Sequence, residues 1–382
     1  MAVGSHQAAG VGCAGQDRGA VASSAAERAA RAGWGLGAAS IHWGKRPATS
    51  RSVAVTRRDR RLLALLHDVN YLSASQLALL GCGGDSTCAR RRLRLLHDHE
   101  LIDKSRPPAA AGSYEWNYRL AVEGWRVLED CVMCAEGKSY SPADIHSIAY
   151  VEHDLQVNAL VLHIARRAST GDGPLLDAMP FGWHGPHRGE IDPRDERPPE
   201  DGCEPSPSLP PVFYRAGSRE GVLKPDATLI LGGAEPCQAV LIEFDRTARP
   251  HKQLDRLRRY DWLLTEGWMD GRFAHHPIPP AMVLVTLRES TLAALVRAAD
   301  ETLCASRGKS DQDPLQGDYR GRDRIVFTTR ERILARDWRM LRVPRLTPDL
   351  RGHDQRECVP AREVTMDLPA LSAEAARLTD AS

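Results

Sequence analysis

Asp226, Glu243 and Asp245 are residues whose types and spacing could do chemistry. They lie in GVLKPDATLILGGAEPCQAVLIEFDRTARPHKQLDRLRRY, residues 221–260, which reads strand, tight turn, strand, helix. Leu223 to Leu231 is apolar and β-favouring, with Pro225-Asp226 at its start, and Gly232-Gly233 and Pro236 punctuate it. Gln238 to Phe244 is a second apolar run, which suits a central strand buried on both faces. Charge inside such a strand is expensive unless it is paired or binds a metal. This strand nevertheless ends in Glu243-Phe244-Asp245. A hairpin of the two strands brings Asp226 near Glu243, and residues two apart on a strand share a face, so Glu243 and Asp245 can share a side. Three carboxylates at one sheet end make a hard-oxygen site suited to Mg²⁺ or Mn²⁺. The alternative is that they cap strands or pair with Arg246, Arg249 and Lys252, since structural ion pairs also cluster carboxylates.

A second candidate set is cationic. On a helical wheel of Thr87 to His99, Ala89, Leu93 and Leu96 share a core face, while Arg90, Arg91 and Arg94 fall on the opposite side. A leucine stripe backed by an arginine stripe suits a helix that packs inward and presents guanidinium groups to DNA. The other reading of the arginines is a solvated helix face. Lys104 and Arg106, on a strand that follows, would touch phosphate. Glu152, His153 and Asp154 interrupt an apolar helical period, and such a triplet on a helix packed against a sheet can face the carboxylates. The alternative places at least two of the three in solvent. Cys131 and Cys134 form a lone CxxC with no second pair at zinc-ribbon spacing, which reads as idle or buried thiols.

These groups need elements to hold them. Thr56 to His67 reads as a helix, and Ser73-Ala74-Ser75-Gln76 is a capping-box pattern that opens a short helix, Ser75–Leu80. Gly81-Cys82-Gly83-Gly84 is a turn, and Asp85 or Ser86 can cap the arginine-bearing helix. Two short helices about a Gly-rich turn form a helix-turn-helix pattern. Leu101 to Arg106 and Tyr114 to Leu120 read as strands of a hairpin, the wing of a winged helix, and Ala121 to Cys131 as a closing helix. Ser141 to Arg167 has a helical period. A strand is expected within Leu175–His184, then a long loop over 185–221. After the 221–260 stretch come a strand at Ala281–Thr286, a helix at Ser290–Cys304, a strand at Arg324–Thr328 and a helix near Arg330–Ala335. The expected organisation is a disordered tail over 1–50 with a short helix near Ala25–Ala32, a winged helix-turn-helix domain over 51–135, an α/β (α+β) sandwich over 141–340, and a tail over 341–382.

Composition narrows the partners. The chain has 382 residues and a formal net charge of +1, so any nucleic-acid surface must be a local patch. Its nine cysteines are an odd count without framework spacing, which points to a reducing cytoplasm. No run of apolar residues is long enough to span a membrane, and the N-terminus lacks the basic start and apolar run of a signal peptide.

The second half resembles the restriction-endonuclease-like core, whose signature is Asp, then Asp or Glu, any residue, Lys. Asp226 matches the first acid and Glu243 the second, but Asp245 stands where the lysine is expected. In that family the acids hold the metal and the lysine orients or activates the attacking water. Lys252, Arg256 or Lys224 could substitute for it from nearby. The two halves together resemble the replication-relaxation family of actinobacterial plasmids and integrative elements, over roughly residues 54–330. The matching pieces are Arg91-Arg92-Leu93-Arg94-Leu95-Leu96, His153-Asp154-Leu155-Gln156-Val157-Asn158, Pro225-Asp226, Glu243-Phe244-Asp245-Arg246-Thr247, and Arg256 followed by Tyr260.

The resemblance implies a role in replication and relaxation of mobile DNA. Three expectations follow. The chain is a DNA-binding accessory protein of a mobile element, contacting duplex DNA and other replication or transfer proteins. Alternatively it is a metal-dependent nuclease or nickase using Asp226 and Glu243, with Asp245, Glu152 or His153 assisting. A third reading is a protein-interaction module of a transfer system.

Overall fold

Side-chain caps decide where the first helices start. The computed structural model describes residues 42–45, 53–106, 114–130, 148–169, 171–186, 212–216, 219–231, 238–246, 250–265, 267–270, 273–274, 276–304, 324–342 and 362–366. A two-residue strand β1 (His42–Trp43) precedes helix α1 (Arg57–Val69), whose N-cap Thr56 forms a capping box with Asp59. Strand β2 (Leu72–Ser73) runs into α2 (Ala74–Cys82), where Ser73 and Gln76 make the expected box. Gly83 and Gly84 turn the chain at φ 59° and 96°, a region that favours glycine. Asp85 then caps α3 (Ser86–Asp98) through the Thr87 and Cys88 amides. Ala89, Leu93 and Leu96 are buried, as the wheel requires.

Strands β3 (Ile102–Arg106) and β4 (Asn117–Leu120) form the hairpin, and α4 (Val122–Asp130) closes this portion. Gly124 lets α4 seat on the hairpin, since a Cβ there would lie 2.2 Å from the Leu101 carbonyl oxygen. One expectation needs correcting. Part of the segment read as a disordered tail, His42–Trp43, is a strand paired with Arg106 and Ser105 of β3. The open edge of β3 offers backbone partners, and the Arg119 guanidinium stacks on the Trp43 ring at 4.3 Å. Residues 25–32 and the Cys131–Cys134 pair lie outside the described residues.

Helix α5 (Ile148–Ala168) opens the second portion, followed by β5 (Phe181–His184), β6 (Val212–Ala216), β7 (Arg219–Leu223), β8 (Ala227–Leu231) and β9 (Gln238–Asp245). Then come α6 (Pro250–Thr265), β10 (Ala281–Thr286), α7 (Glu289–Cys304), β11 (Ile325–Thr329), α8 (Arg330–Leu334), β12 (Arg339–Arg342) and β13 (Arg362–Thr365). Seven strands make one mixed sheet in the order β13-β12-β11-β10-β9-β8-β5. Its centre, β9-β10-β11, is parallel and its flanks are antiparallel.

The alternation along β9 divides the core. Val240, Ile242 and Phe244 join α5 and the N-terminal helices in one apolar cluster, while Ala239 and Leu241 pack with Leu257 and Leu264 of α6 and Leu295 of α7. Helices thus cover both faces of a mixed sheet, as an α/β (α+β) chain requires. No described helix is long and apolar enough to cross a membrane.

Three details differ from the sequence reading. The 185–221 stretch, read as a loop, contains β6 and most of β7, paired as a hairpin from Val212↔Leu223 to Ala216↔Arg219. Leu223–Leu231 is not one strand but two: β7 stops at Leu223 and β8 begins at Ala227. Pro225 between them lacks the amide that a continuous ladder would use. The segment read as a C-terminal tail contributes Leu341 and Arg342 of β12 and all of β13, which extend the sheet beyond β11 by backbone pairing at its edge.

Candidate functional site

The β8–β9 register pairs Ala227 with Ile242, so the preceding Asp226 stands opposite Glu243, where the hairpin reading places it. Asp226 Oδ2 accepts a hydrogen bond from the Phe244 amide at 2.7 Å. Helix α5 brings His153 to the same carboxylate: Nε2 is 3.3 Å from Asp226 Oδ2 and 3.1 Å from the Phe244 carbonyl oxygen. From the other face of the sheet, α6 supplies two groups four residues apart on one side of the helix. Arg256 Nη1 lies 2.6 Å from Glu243 Oε2, and the Tyr260 hydroxyl donates to Glu243 Oε1. Glu243 is only 2% exposed, and Asp245 is also buried.

The electrostatics follow from this packing. Burial opposes the charge on His153, but hydrogen bonds to Asp154 and Asp226, and their charges, outweigh it and push the imidazole up to about 10. Burial, then the Asp226 charge, drives the Glu243 carboxyl well above its ordinary range, while Arg256, Tyr260 and His153 pull the other way. Burial, then the Glu243 charge, raises the Tyr260 phenol. Burial opposes the Arg256 charge, but Glu243 chiefly reinforces it.

Asp226 and Glu243, the two acids that the signature assigns to the metal, do not offer the free oxygens that Mg²⁺ or Mn²⁺ needs. A hard divalent ion needs several oxygens free to turn toward it. Asp226 Oδ2 already takes an amide and an imidazolium, and both Glu243 oxygens face cationic or hydroxyl donors. Among the described residues, no group of three or more His, Cys, Asp or Glu is arranged to hold a metal ion. The positive charge comes instead from Arg256 and His153. Lys224 is exposed just before β8, and the Lys252 side chain lies outside the described residues.

The polar triplet on α5 is divided among three tasks. His153 faces Asp226. Glu152 turns to Arg246, with Oε2 3.2 Å from Nη2, and that guanidinium also donates to the Ala149 carbonyl at 2.6 Å. Asp154 lies beside His153 at 3.5 Å and accepts from Asn70 Nδ2 at 3.2 Å. Farther along, the Asn158 amide donates to the carbonyls of Tyr71 at 2.7 Å and Val69 at 3.4 Å, and Gln76 donates to the Leu155 carbonyl at 2.8 Å. The 153–158 motif therefore joins the acid site to the turn after α1. The sequence signal for this was the four-residue spacing of Asp154 and Asn158 beside His153, whose partners could not be read from it.

A separate basic surface lies on α3 and the hairpin. Arg90, Arg91 and Arg94 are exposed, with Arg94 at 80%. Arg90 folds back on Ser86, and Arg94 lies 3.7 Å from Asp98. Their neighbour Arg92 turns inward instead, donating from Nε to Asp59 Oδ1 at 2.9 Å and from Nη2 to the Ala54 carbonyl at 2.8 Å. Burial opposes ionisation of Asp59, yet the Arg92 and Thr56 hydrogen bonds hold its carboxyl below the usual range. Lys104 and Arg106 flank the Trp116 ring, at 5.1 and 4.6 Å from its centroid. The sequence reading missed Trp116, although its place across the hairpin from two cations was the available signal.

Residues 63–273, more than half of the chain, match the family model described as replication-relaxation. No curated protein and no solved structure matches the chain.

Proposed function

The chain belongs to the replication-relaxation family, and from that premise we propose that it is a DNA-binding protein of a mobile genetic element. It acts in plasmid replication, DNA relaxation or transfer, in the cytoplasm, alongside other replication or transfer proteins. Helices α1 to α3 with the β3–β4 hairpin work as a winged helix on duplex DNA. Arg90, Arg91 and Arg94 of α3 face the major groove, and Lys104 and Arg106 lie along phosphate. The restriction-endonuclease-like sheet portion is a platform without nuclease chemistry.

The observation that carries this reading is the two-sidedness of α3: Ala89, Leu93 and Leu96 are buried while Arg90, Arg91 and Arg94 stand in solvent. The internally neutralised acids support the platform role. Fluorescence anisotropy on labelled duplex DNA in EDTA tests it. Binding persists without divalent metal and weakens steeply with salt. Replacing Arg90, Arg91 and Arg94 together by Glu removes it. A triple variant that binds like the wild type refutes the reading, and a protein that shifts no DNA at low salt leaves the protein-interaction module.

A further inference from the structure

The turn between α2 and α3 has a chemistry that neither DNA binding nor the acid site uses. Cys82 is the last residue of α2, and Cys88 lies in the first turn of α3. Their sulfurs face each other across Gly83-Gly84-Asp85 with Sγ atoms 2.9 Å apart. Cys88 is exposed and Cys82 half-buried. The pair lies in the wall of a cleft that Arg58 and Arg92 also line. We propose that Cys82 and Cys88 are a modification site that forms a reversible intramolecular disulfide by exchange with a low-molecular-weight disulfide.

Three observations support it. The sulfurs need to close by only about 1 Å to reach bonding distance. The turn has room for that movement at Gly84, where nothing lies within 4 Å of the place a Cβ would take, while Gly83 beside it packs on the backbone of Asp172–Pro174. The thiols also have distinct roles. Burial, then the neighbouring Cys88, pushes the Cys82 thiol up to about 12. Cys82 therefore remains a thiol while the exposed Cys88 meets the external reagent first.

The exchange balances in two steps. Cys88 loses its proton, and its sulfur attacks one sulfur of the disulfide R–S–S–R. A mixed disulfide forms on Cys88 and the first R–S⁻ leaves. Cys82 then loses its proton and attacks Cys88 Sγ, expelling the second R–S⁻. The protein gives up two electrons and two protons, and the reagent becomes two R–SH. The oxidised form ties the first turn of α3 to the end of α2, immediately before Arg90 and Arg91.

The test uses the full chain equilibrated over a range of oxidised-to-reduced glutathione ratios. Free thiols are then alkylated and the protein is digested with trypsin. Both cysteines lie on the single tryptic segment Leu62–Arg90. The internal bond is therefore read as that segment escaping alkylation while weighing two hydrogens less than its dithiol form. This form is expected to accumulate as oxidised glutathione rises, with little glutathione retained on the segment. Cys82→Ser should instead trap glutathione on Cys88, and Cys88→Ser should yield neither product. The proposal is overturned if the segment stays a dithiol while other cysteines of the chain react. It is equally overturned if wild-type Cys88 holds glutathione as durably as the Cys82→Ser variant does.

Discussion

His153 Nε2 lies 3.3 Å from Asp226 Oδ2, so helix α5 places a protonated imidazole against the acid that opens β8. Its other ring nitrogen lies 3.5 Å from Asp154, which accepts from Asn70 at the end of α1. A chain of polar contacts thus runs from the N-terminal helices to the sheet end.

Stability should fall as pH rises from about 6.5 to about 10. The His153 pKa is raised from 6.5 to about 10 on folding, so its contribution is complete below 6.5 and is lost as pH climbs through 10. Glu243, also raised, acts in the same direction, because ionising it in the folded state is unfavourable. Urea midpoints for wild type and His153→Gln check this. The variant should have a distinctly shallower decline, the difference amounting to a few kcal/mol at most, at about 1.4 kcal/mol per pKa unit. Parallel curves would show that His153 carries no such coupling.

Arg256→Met should cost up to about 3 kcal/mol at alkaline pH, where Glu243 ionises and the buried carboxylate beside Asp226 then lacks its guanidinium. Adding Glu243→Gln should restore much of the loss by removing the charge. Equilibrium denaturation of the two single variants and the double gives the coupling directly. Strictly additive losses would mean that the 2.6 Å pair does not set the energetics of the site.

Supercoiled plasmid incubated with the protein and Mg²⁺ or Mn²⁺ should stay supercoiled, with wild type and Asp226→Ala indistinguishable. The acids are turned toward Phe244, His153, Arg256 and Tyr260, and a metal would have to displace these partners. Nicking that vanishes in Asp226→Ala would establish the nuclease reading instead.

Replacing Arg90, Arg91 and Arg94 by Ala should weaken DNA binding and relax its sequence preference, because these side chains face the major groove. Lys104→Ala and Arg106→Ala should instead flatten its salt dependence, each lost phosphate contact removing about 0.9 from the log–log slope in anisotropy titrations. Arg92→Ala should act on stability, since Arg92 braces Asp59 and the Ala54 carbonyl.

Asn158→Leu should destabilise by about 1–3 kcal/mol, because the Tyr71 and Val69 carbonyls lose their amide donor at a buried position. Thermal or urea unfolding reads the loss. A variant as stable as wild type would show that water replaces the side chain.

Much of the local architecture was open to a sequence reader. The Ser73–Gln76 box, the Asp85 cap and the two-faced α3 depend on residues within one or two turns of each other, so their energetics are visible in a short window. The hairpin that sets Asp226 opposite Glu243 is similarly short-range. Edge pairing was harder to see. β1 and β13 are short pieces of low apolar content that bind by backbone groups, which any sequence carries. In the arginine run, residue type alone did not separate Arg92, which turns to Asp59, from its exposed neighbours.

By itself, the sequence determined the helix caps, the face of α3 that packs inward, and the acids gathered at the β8–β9 end. Only the tertiary structure decided what those acids meet. The partners His153, Arg256 and Tyr260 arrive on helices from opposite faces of the sheet, and whether a buried carboxylate meets a guanidinium or a metal depends on which side chain the packing leaves within reach.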